Sequence, residues 1–129
     1  MIRNGYNPVF AEQGSTGILE MPDVIGWRGG SSTIFEIKIT LEDFKRDAKK
    51  IFRQTPECGL GNYRYYITPE DLGGQIYSML PDGWGLRYFG KPGLCNLKES
   101  KCFTKYSDGE VMFLLSRIKE IQYFGKRTY

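Results

Sequence analysis

The sequence predicts an α/β domain in which helices flank a central mixed β-sheet. Three segments, 33–40, 63–68 and 84–89, have the alternation and the β-branched and aromatic residues typical of strands. Two others, after Thr40 and after Ser107, repeat apolar residues at helical spacing. Because 129 residues suffice for one core but not for two, we expect a single domain over residues 1–129.

The composition is that of an ordinary globular protein, with 40% hydrophobic and 26% charged residues. No run of about 18 apolar residues is present, and the first residues do not have the pattern of a signal peptide. We therefore expect a cytoplasmic protein that does not enter a membrane. The net charge of +3 permits nucleic-acid binding but does not by itself predict it.

The chain has three cysteines and no histidine. An odd number of cysteines fits a reducing compartment. The lack of histidine excludes His-ligated zinc and histidine acid–base catalysis, and it leaves a cysteine zinc site without a fourth ligand. Buried or incidental thiols are the favoured interpretation, and a Cys95–Cys102 disulfide is an alternative.

The N-terminal third is predicted to form an antiparallel hairpin. Residues 1–8 are expected to be a flexible arm, because Asn4-Gly5 and Asn7-Pro8 disfavour regular structure. A short apolar segment follows, and then two strands, 23–27 and 33–40, are joined by a Gly/Ser turn at 29–32.

Glu36 and Lys38 are charged residues at interior positions of the second strand, and Asp23 stands at the head of the first. Strand side chains alternate between faces, so Glu36 and Lys38 share one face, roughly 6–7 Å apart. Phe35, Ile37 and Ile39 share the other, which can be buried. Pairing of the two strands would bring Asp23 within reach of Glu36.

This arrangement suits phosphodiester hydrolysis. Two converging carboxylates are hard oxygen ligands for Mg²⁺, which polarises a phosphate and lowers the pKa of a bound water. Lys38 can orient that water or offset charge on the phosphorane. The simpler alternatives are a turn carboxylate at Asp23 and an exposed Glu36–Lys38 ion pair, which would add little stability.

A helix is predicted from Thr40, with Thr40 as N-cap and Asp43 three residues later. Its apolar stripe contains Phe44, Ala48, Ile51 and Phe52, and Pro56 ends it. Basic residues occupy the other faces. They form either a solvated surface or, at Lys49, Lys50 and Arg53, contacts to a phosphate backbone.

The C-terminal half continues with a strand at 63–68, a helix opened by Pro69 that reaches Met79, and a strand at 84–89. We expect a loop at 90–100 and a short strand at 101–106. A last helix begins at Ser107 or Asp108. Its apolar stripe is expected to pack on the sheet and consists of Val111, Leu114, Leu115, Ile118 and Ile121.

Pro22-Asp23 followed by Glu36-x-Lys38 on a hydrophobic strand resembles the PD-(D/E)xK nuclease superfamily. The order of the flanking segments resembles small MmcB-like nuclease domains of DNA repair and phages, over roughly residues 9–90. The segments that carry this resemblance are Phe10-Ala11-Glu12, the turn at 14–17, the Asp23 strand, the segment 35–44, Tyr63 to Glu70, and Leu80 to Leu86.

The resemblance implies a restriction-endonuclease-like fold and a Mg²⁺- or Mn²⁺-dependent deoxyribonuclease. It implies that Asp23, Glu36 and the Ile37 carbonyl bind the metal and that Lys38 positions the attacking water. Glu12 would be an upstream acidic member of the site, with Glu20 as its rival and a solvated turn residue as the alternative. DNA is the implied partner, and relatives that cut both strands are commonly homodimers.

Two other classes of function stay open. One is a non-catalytic nucleic-acid-binding or inhibitory protein on a nuclease scaffold, which the modest basic charge would suit. The other is a structural or toxin-type phage protein with an accidental motif, in which Asp23, Glu36 and Lys38 would not converge.

Overall fold

The computed structural model describes residues 5–11, 22–50, 53 and 55–128, without the side chains of 123–128. Its described part contains a six-stranded sheet whose spatial order follows the chain. The strands are β1 (Val9–Ala11), β2 (Val24–Arg28), β3 (Ser31–Ile37), β4 (Tyr63–Pro69), β5 (Gly85–Gly90) and β6 (Gly93–Lys98). The central pairs β3–β4 and β4–β5 are parallel, and the outer pairs are antiparallel. The predicted mixed α/β sheet is therefore confirmed.

In the described part of the chain, three α-helices with full bounds flank this sheet: α1 (Leu41–Ala48), α2 (Glu70–Ile76) and α3 (Ser107–Thr128). One-turn 3-10 helices lie at Pro56–Cys58 and Tyr77–Met79. Each α-helix contributes to one hydrophobic core, through Phe44, Leu72 and Phe113 respectively. The sheet face that packs against them contributes Ile25, Trp27, Ile34, Tyr66 and Leu86.

The opposite sheet face carries a smaller cluster built on Phe35, Tyr65 and Ile67. Phe35 is fully buried, and its ring stacks on that of Tyr65 at 5.7 Å between centroids. Its neighbours on that face are more open, since Ile37 is 40% and Ile39 63% exposed. Glu36 therefore points toward the larger of the two cores, with Ile34.

Helix α1 begins as predicted. The Thr40 side chain accepts a hydrogen bond from the backbone N–H of Asp43 at 3.2 Å, which satisfies one of the unpaired N–H groups at the helix start. The helix ends at Ala48, whereas the sequence predicted that it would reach Phe52. Ile51 and Phe52 lie outside the described residues.

Two predictions between β5 and α3 are wrong. Residues 93–98 form β6 instead of a loop, because Gly93, at φ 117°, allows a tight turn after β5. Residues 101–106 are not a strand. Their backbone N–H groups bond to three separate segments, at Gly83, Asn62 and Gly59, and so form no ladder.

The predicted stripe of α3 is also wrong for four of its five residues. Only Leu114 packs against the core, whereas Val111, Leu115, Ile118 and Ile121 are 47–56% exposed. Among residues 107–122 of this helix, the buried ones are Gly109, Glu110, Phe113 and Arg117.

Glu110 explains this orientation of α3. Its carboxylate accepts hydrogen bonds from the Ser32 hydroxyl (2.6 Å) and from the Gly61 N–H (2.8 Å). It also pairs with Lys105 at 3.0 Å. If these contacts were not made, buried polar groups would lack hydrogen-bond partners, which costs free energy. The contacts therefore determine which side of the helix faces the sheet.

Tyr6 to Pro8 do not form the flexible arm that the sequence predicted. Tyr6 is buried, Asn7 donates its N–H to the Trp27 carbonyl, and Trp27 donates to the Pro8 carbonyl. Residues 1–4 are outside the described part.

The three cysteines are free thiols, and the Cys95–Cys102 disulfide is absent. Cys58 and Cys102 are exposed, so of the two favoured alternatives these thiols are incidental and not buried. Among the described residues, no helix combines the length and the apolar character that a membrane span requires.

Gly85 allows β5 to pack against Tyr65. A Cβ atom there would lie 2.4 Å from Cε1 of Tyr65 and 2.7 Å from the backbone nitrogen of Ser100. We expect Gly85→Ala to lower the free energy of unfolding by about 2–3 kcal/mol in a urea titration, because a tightly packed contact must shift. Gly74→Ala is the control, since Gly74 is helical with no atom within 4 Å of an added Cβ, and it should be neutral or stabilising. Equal effects of the two changes would contradict the packing role.

Candidate active site

The three residues of the predicted motif come together where β3 ends and β2 begins. The β2–β3 register pairs Val24 with Phe35, which places Asp23 opposite Glu36. One Asp23 carboxylate oxygen accepts the backbone N–H of Ile37 at 2.8 Å. The Lys38 backbone N–H donates to the carbonyl of Ile67 at 3.0 Å, and its Nζ lies 3.9 Å from Oε2 of Glu36.

Glu36 is only 2% exposed, although it carries a carboxylate. Its Oε1 accepts a hydrogen bond from the guanidinium of Arg53 at 3.1 Å. Its other oxygen faces Lys38. A buried carboxylate is tolerated only when it is paired, and the protein supplies both partners.

Asp47, at 1% exposure, is a second buried carboxylate beside Glu36. It accepts hydrogen bonds from Nε of Arg53 (3.0 Å) and from the Tyr66 hydroxyl (2.5 Å). It also pairs with Lys50 at 3.1 Å and Lys38 at 3.6 Å. We refer to Glu36, Asp47, Arg53, Lys38 and Tyr66 as the carboxylate cluster.

Arg53 does not lie on the exposed face where the sequence placed it. It is 6% exposed, its guanidinium bridges Glu36 and Asp47, and its Cζ lies 4.4 Å from the ring centroid of Trp84. A guanidinium held this way cannot also lie along a nucleic-acid backbone, because it would abandon two buried carboxylates. Lys49 and Lys50, by contrast, are exposed at the end of α1.

Burial is the main influence on the pKa of Glu36 and raises it from 4.5 to about 8. The cation Arg53 opposes this rise, while the negative charges of Asp47 and Asp23 add to it. The influence of Asp23 on this pKa agrees with its position opposite Glu36.

The pKa of Asp47 shifts in the opposite direction, although Asp47 lies in the same surroundings. Burial alone would raise its pKa, but the charge of Arg53 and the hydrogen bond from Tyr66 outweigh burial and lower the pKa to about 2. The two neighbouring carboxyls therefore have well-separated pKa values. Asp47 stays ionised at neutral pH, and Glu36 is the group that can exchange a proton there. Burial also raises the pKa of Tyr66, which keeps its hydroxyl a donor.

The sequence interpretation missed the roles of Asp47, Tyr66 and Trp84. Asp47 had a usable signal, because it follows Phe44 by three residues and so falls on the apolar stripe of α1. A single acid on a buried stripe predicts an internal partner. Nothing in the sequence pairs Tyr66 or Trp84 with it, since that contact depends on how β4 and β5 pack.

Among the described residues, the candidate metal ligands are two carboxylates and one backbone carbonyl. Glu12 lies outside the described residues. Within the ranges described above, no three His, Cys, Asp or Glu side chains lie close enough to hold a metal ion. Asp23 and Glu36 with the Ile37 carbonyl remain, and these hard oxygen donors suit Mg²⁺, which is usually bound by one or two carboxylates with waters and phosphate oxygens.

Comparison with known proteins supports the fold and leaves the function open. No family model matches the chain, and no curated protein matches it. A solved structure, the SPO1766 protein of unknown function from Silicibacter pomeroyi, superimposes with a TM-score of 0.68 at 16% identity. The match covers 98% of this chain and 82% of that chain. This similarity shows that a natural protein has the same α/β fold.

The raised pKa of Glu36 predicts how stability depends on pH. The folded state holds an extra proton between about pH 4.5 and 8, so the free energy of unfolding should fall as pH rises through that window, by at most about 1.4 kcal/mol per pH unit. The glutamine of Glu36→Gln does not titrate. The free energy of unfolding of this variant relative to wild type should therefore increase from pH 5.5 to 8.5 in urea titrations. Glu57→Gln, at an exposed position, should follow wild type. A Glu36→Gln curve parallel to wild type would contradict the raised pKa.

Proposed function

We propose that this protein is a metal-dependent nuclease of the PD-(D/E)xK type that hydrolyses phosphodiester bonds in nucleic acid, with DNA as the preferred substrate. The observation that carries the proposal is the convergence of Asp23, Glu36 and Lys38 at one sheet edge, with Lys38 Nζ 3.9 Å from Glu36. The proposal extends to a restriction-endonuclease-like fold, of which the mixed sheet with flanking helices is the coarser description.

Asp23, Glu36 and the Ile37 carbonyl would hold Mg²⁺ or Mn²⁺. When bound, the metal supplies Lewis-acid activation of the phosphate and a water of lowered pKa. The Asp23 carboxylate also accepts a hydrogen bond from the Ile37 N–H. This contact holds Asp23 beside β3, next to Glu36. Glu36 must give up its proton and loosen its pairing with Lys38 and Arg53 to act as a ligand.

Lys38 positions the attacking water. Its side chain is 14% exposed, so it lies at the boundary between the carboxylate cluster and solvent. Asp47 pairs with it at 3.6 Å, which limits where the ammonium group can move. An ammonium so placed can hold a water by hydrogen bonding and offset negative charge that develops on the phosphorus centre.

Lys49 and Lys50 are suited to contact the phosphate backbone. Both are exposed at the end of α1, and Lys50 pairs with Asp47, so this end of the helix adjoins the carboxylate cluster. Such contacts add affinity that depends on salt and not on sequence. Arg53 is buried inside the carboxylate cluster, where its positive charge pairs with Glu36 and Asp47.

One observation favours a second candidate, a non-catalytic nucleic-acid-binding or inhibitory protein. Both oxygens of Glu36 already face cations, Arg53 and Lys38, and a permanently paired carboxylate would not bind a metal. In this case the carboxylate cluster would be a structural network that joins α1 to the sheet.

Cleavage of labelled single- and double-stranded DNA with Mg²⁺, Mn²⁺ or EDTA distinguishes the two candidates. We expect metal-dependent cutting that Asp23→Ala and Lys38→Ala each reduce by about 100-fold or more, since each removes a group that acts on the reacting atoms. The matched control is Lys45→Ala, which removes an exposed lysine from α1 and should change the rate less than about twofold.

Cutting that survives both changes would place the activity elsewhere. Salt-sensitive DNA binding by a wild-type protein that does not cut would support the binding protein instead.

A further inference from the structure

A cleft opens on the sheet face opposite α1, α2 and α3. Its volume is about 360 Å³, near the lower end of the roughly 300–1,000 Å³ typical of small-molecule sites. We call it the tyrosine cleft. Among the residues that line it are Tyr6, Arg28, Tyr63, Tyr65, Arg87 and Glu99.

The tyrosine cleft is separate from the carboxylate cluster because the sheet lies between them. Glu36 and Tyr66 are register partners that face the helices, and Tyr65, one residue earlier on β4, faces the other way. Arg87 pairs in register with Ile67 and Arg28 with Ser31, which places both arginines on the face of Tyr65. A ligand in this cleft would not touch Lys38 or Glu36.

Both arginines lie over aromatic rings. The Cζ of Arg28 lies 4.4 Å from the ring centroid of Tyr6, and that of Arg87 lies 4.2 Å from the ring centroid of Tyr65. A stacked guanidinium keeps its donors in the plane of the group, where they can bind an anion, and it has already lost much of its side-chain freedom. Two such groups in one cleft favour a phosphate.

Glu99 is the acidic residue of the tyrosine cleft, and its carboxylate accepts hydrogen bonds from the Tyr65 hydroxyl (2.7 Å) and the Asn96 amide (2.8 Å). With two guanidinium groups and one carboxylate, the lining has a net positive charge. Tyr63 is half-buried, so its ring forms part of the cleft wall. Aromatic rings beside a phosphate-binding group suit a nucleobase, which stacks on them with about 1–3 kcal/mol per base.

We propose that the tyrosine cleft binds one phosphorylated nucleoside, either a free nucleoside monophosphate or the terminal nucleotide of a single strand. Arg28 and Arg87 hold the phosphate, and the base stacks on Tyr63. The volume suits a ligand of about this size. The site does not depend on the proposed nuclease activity.

Isothermal titration of the full chain in EDTA with thymidine 5′-monophosphate tests the site. We expect this ligand to bind at least tenfold more tightly than either thymidine or inorganic phosphate, because only it engages both the arginines and the tyrosines. A 5′-phosphorylated pentathymidylate distinguishes a free nucleotide from the terminal nucleotide of a strand. Tighter binding than the monophosphate assigns the cleft to strand ends, and equal or weaker binding assigns it to free nucleotides. Inorganic phosphate bound as tightly as the nucleotide would overturn recognition of the base.

Variants locate the binding. Arg28→Gln and Arg87→Gln should each weaken nucleotide binding at least fivefold, whereas Arg46→Gln, which removes an exposed arginine from α1, should change it less than twofold. Ser31→Asp adds a negative charge to the cleft lining without removing a packed side chain, so it should also abolish binding. This variant keeps the test decisive if the arginine changes harm folding. Lys38→Ala should leave binding unchanged. Unchanged binding in Ser31→Asp, or its loss in Lys38→Ala, would overturn the proposal.

Discussion

The interaction on which the rest of the site depends is the guanidinium of Arg53 between two buried carboxylates. Arg53 is 3.1 Å from Glu36 on β3 and 3.0 Å from Asp47 on α1, and it lies over the ring of Trp84. Neither acid could remain buried in its charged form without this cation. The same contact therefore sets the position of α1 relative to the sheet, and it lowers the pKa of both acids. It also fixes the place of Lys38, which both carboxylates attract.

This buried network is more costly than a hydrophobic contact of the same size, because each ion loses its hydration. A protein that needed only to attach α1 to the sheet could use apolar residues there. The network instead leaves Glu36, at the edge of the cluster nearest Asp23, with a pKa near 8. Such a carboxyl can lose its proton near neutral pH when a cation arrives, and this links the energetics to the proposed activity.

The sequence predicted the sheet, the hairpin and the convergence of Asp23, Glu36 and Lys38, because alternation and turn residues are local signals. It also predicted the Thr40 cap. It misplaced Arg53 and the stripe of α3, because both depend on distant partners. Arg53 looks like one more basic residue of α1, and only its buried neighbours Glu36 and Asp47 distinguish it from Lys49. Similarly, the four exposed apolar residues of α3 outnumber the buried ones, and the hydrogen bonds from Ser32 and Gly61 to Glu110 decide its orientation.

The two faces of the sheet have different chemistry. The helix side carries buried, mutually compensating charges, and the open side carries arginines stacked on tyrosines around a cleft. Strand alternation makes this division possible, because successive residues such as Tyr65 and Tyr66 serve opposite faces. One short sheet can therefore carry both the proposed reaction site and the proposed ligand site without shared side chains.

In the proposed function, Glu36 exchanges its proton and its cation partners for a divalent metal. Carbon-13 NMR of the Glu36 carboxyl, titrated from pH 5 to 10 with and without Mg²⁺, tests this most directly. Without metal the carboxyl should titrate near pH 8, and saturating Mg²⁺ should move the midpoint down by one pH unit or more, because the metal binds only the ionised form. A titration curve that Mg²⁺ does not change, while the protein stays folded, would contradict the account and leave Glu36 as part of a structural ion network.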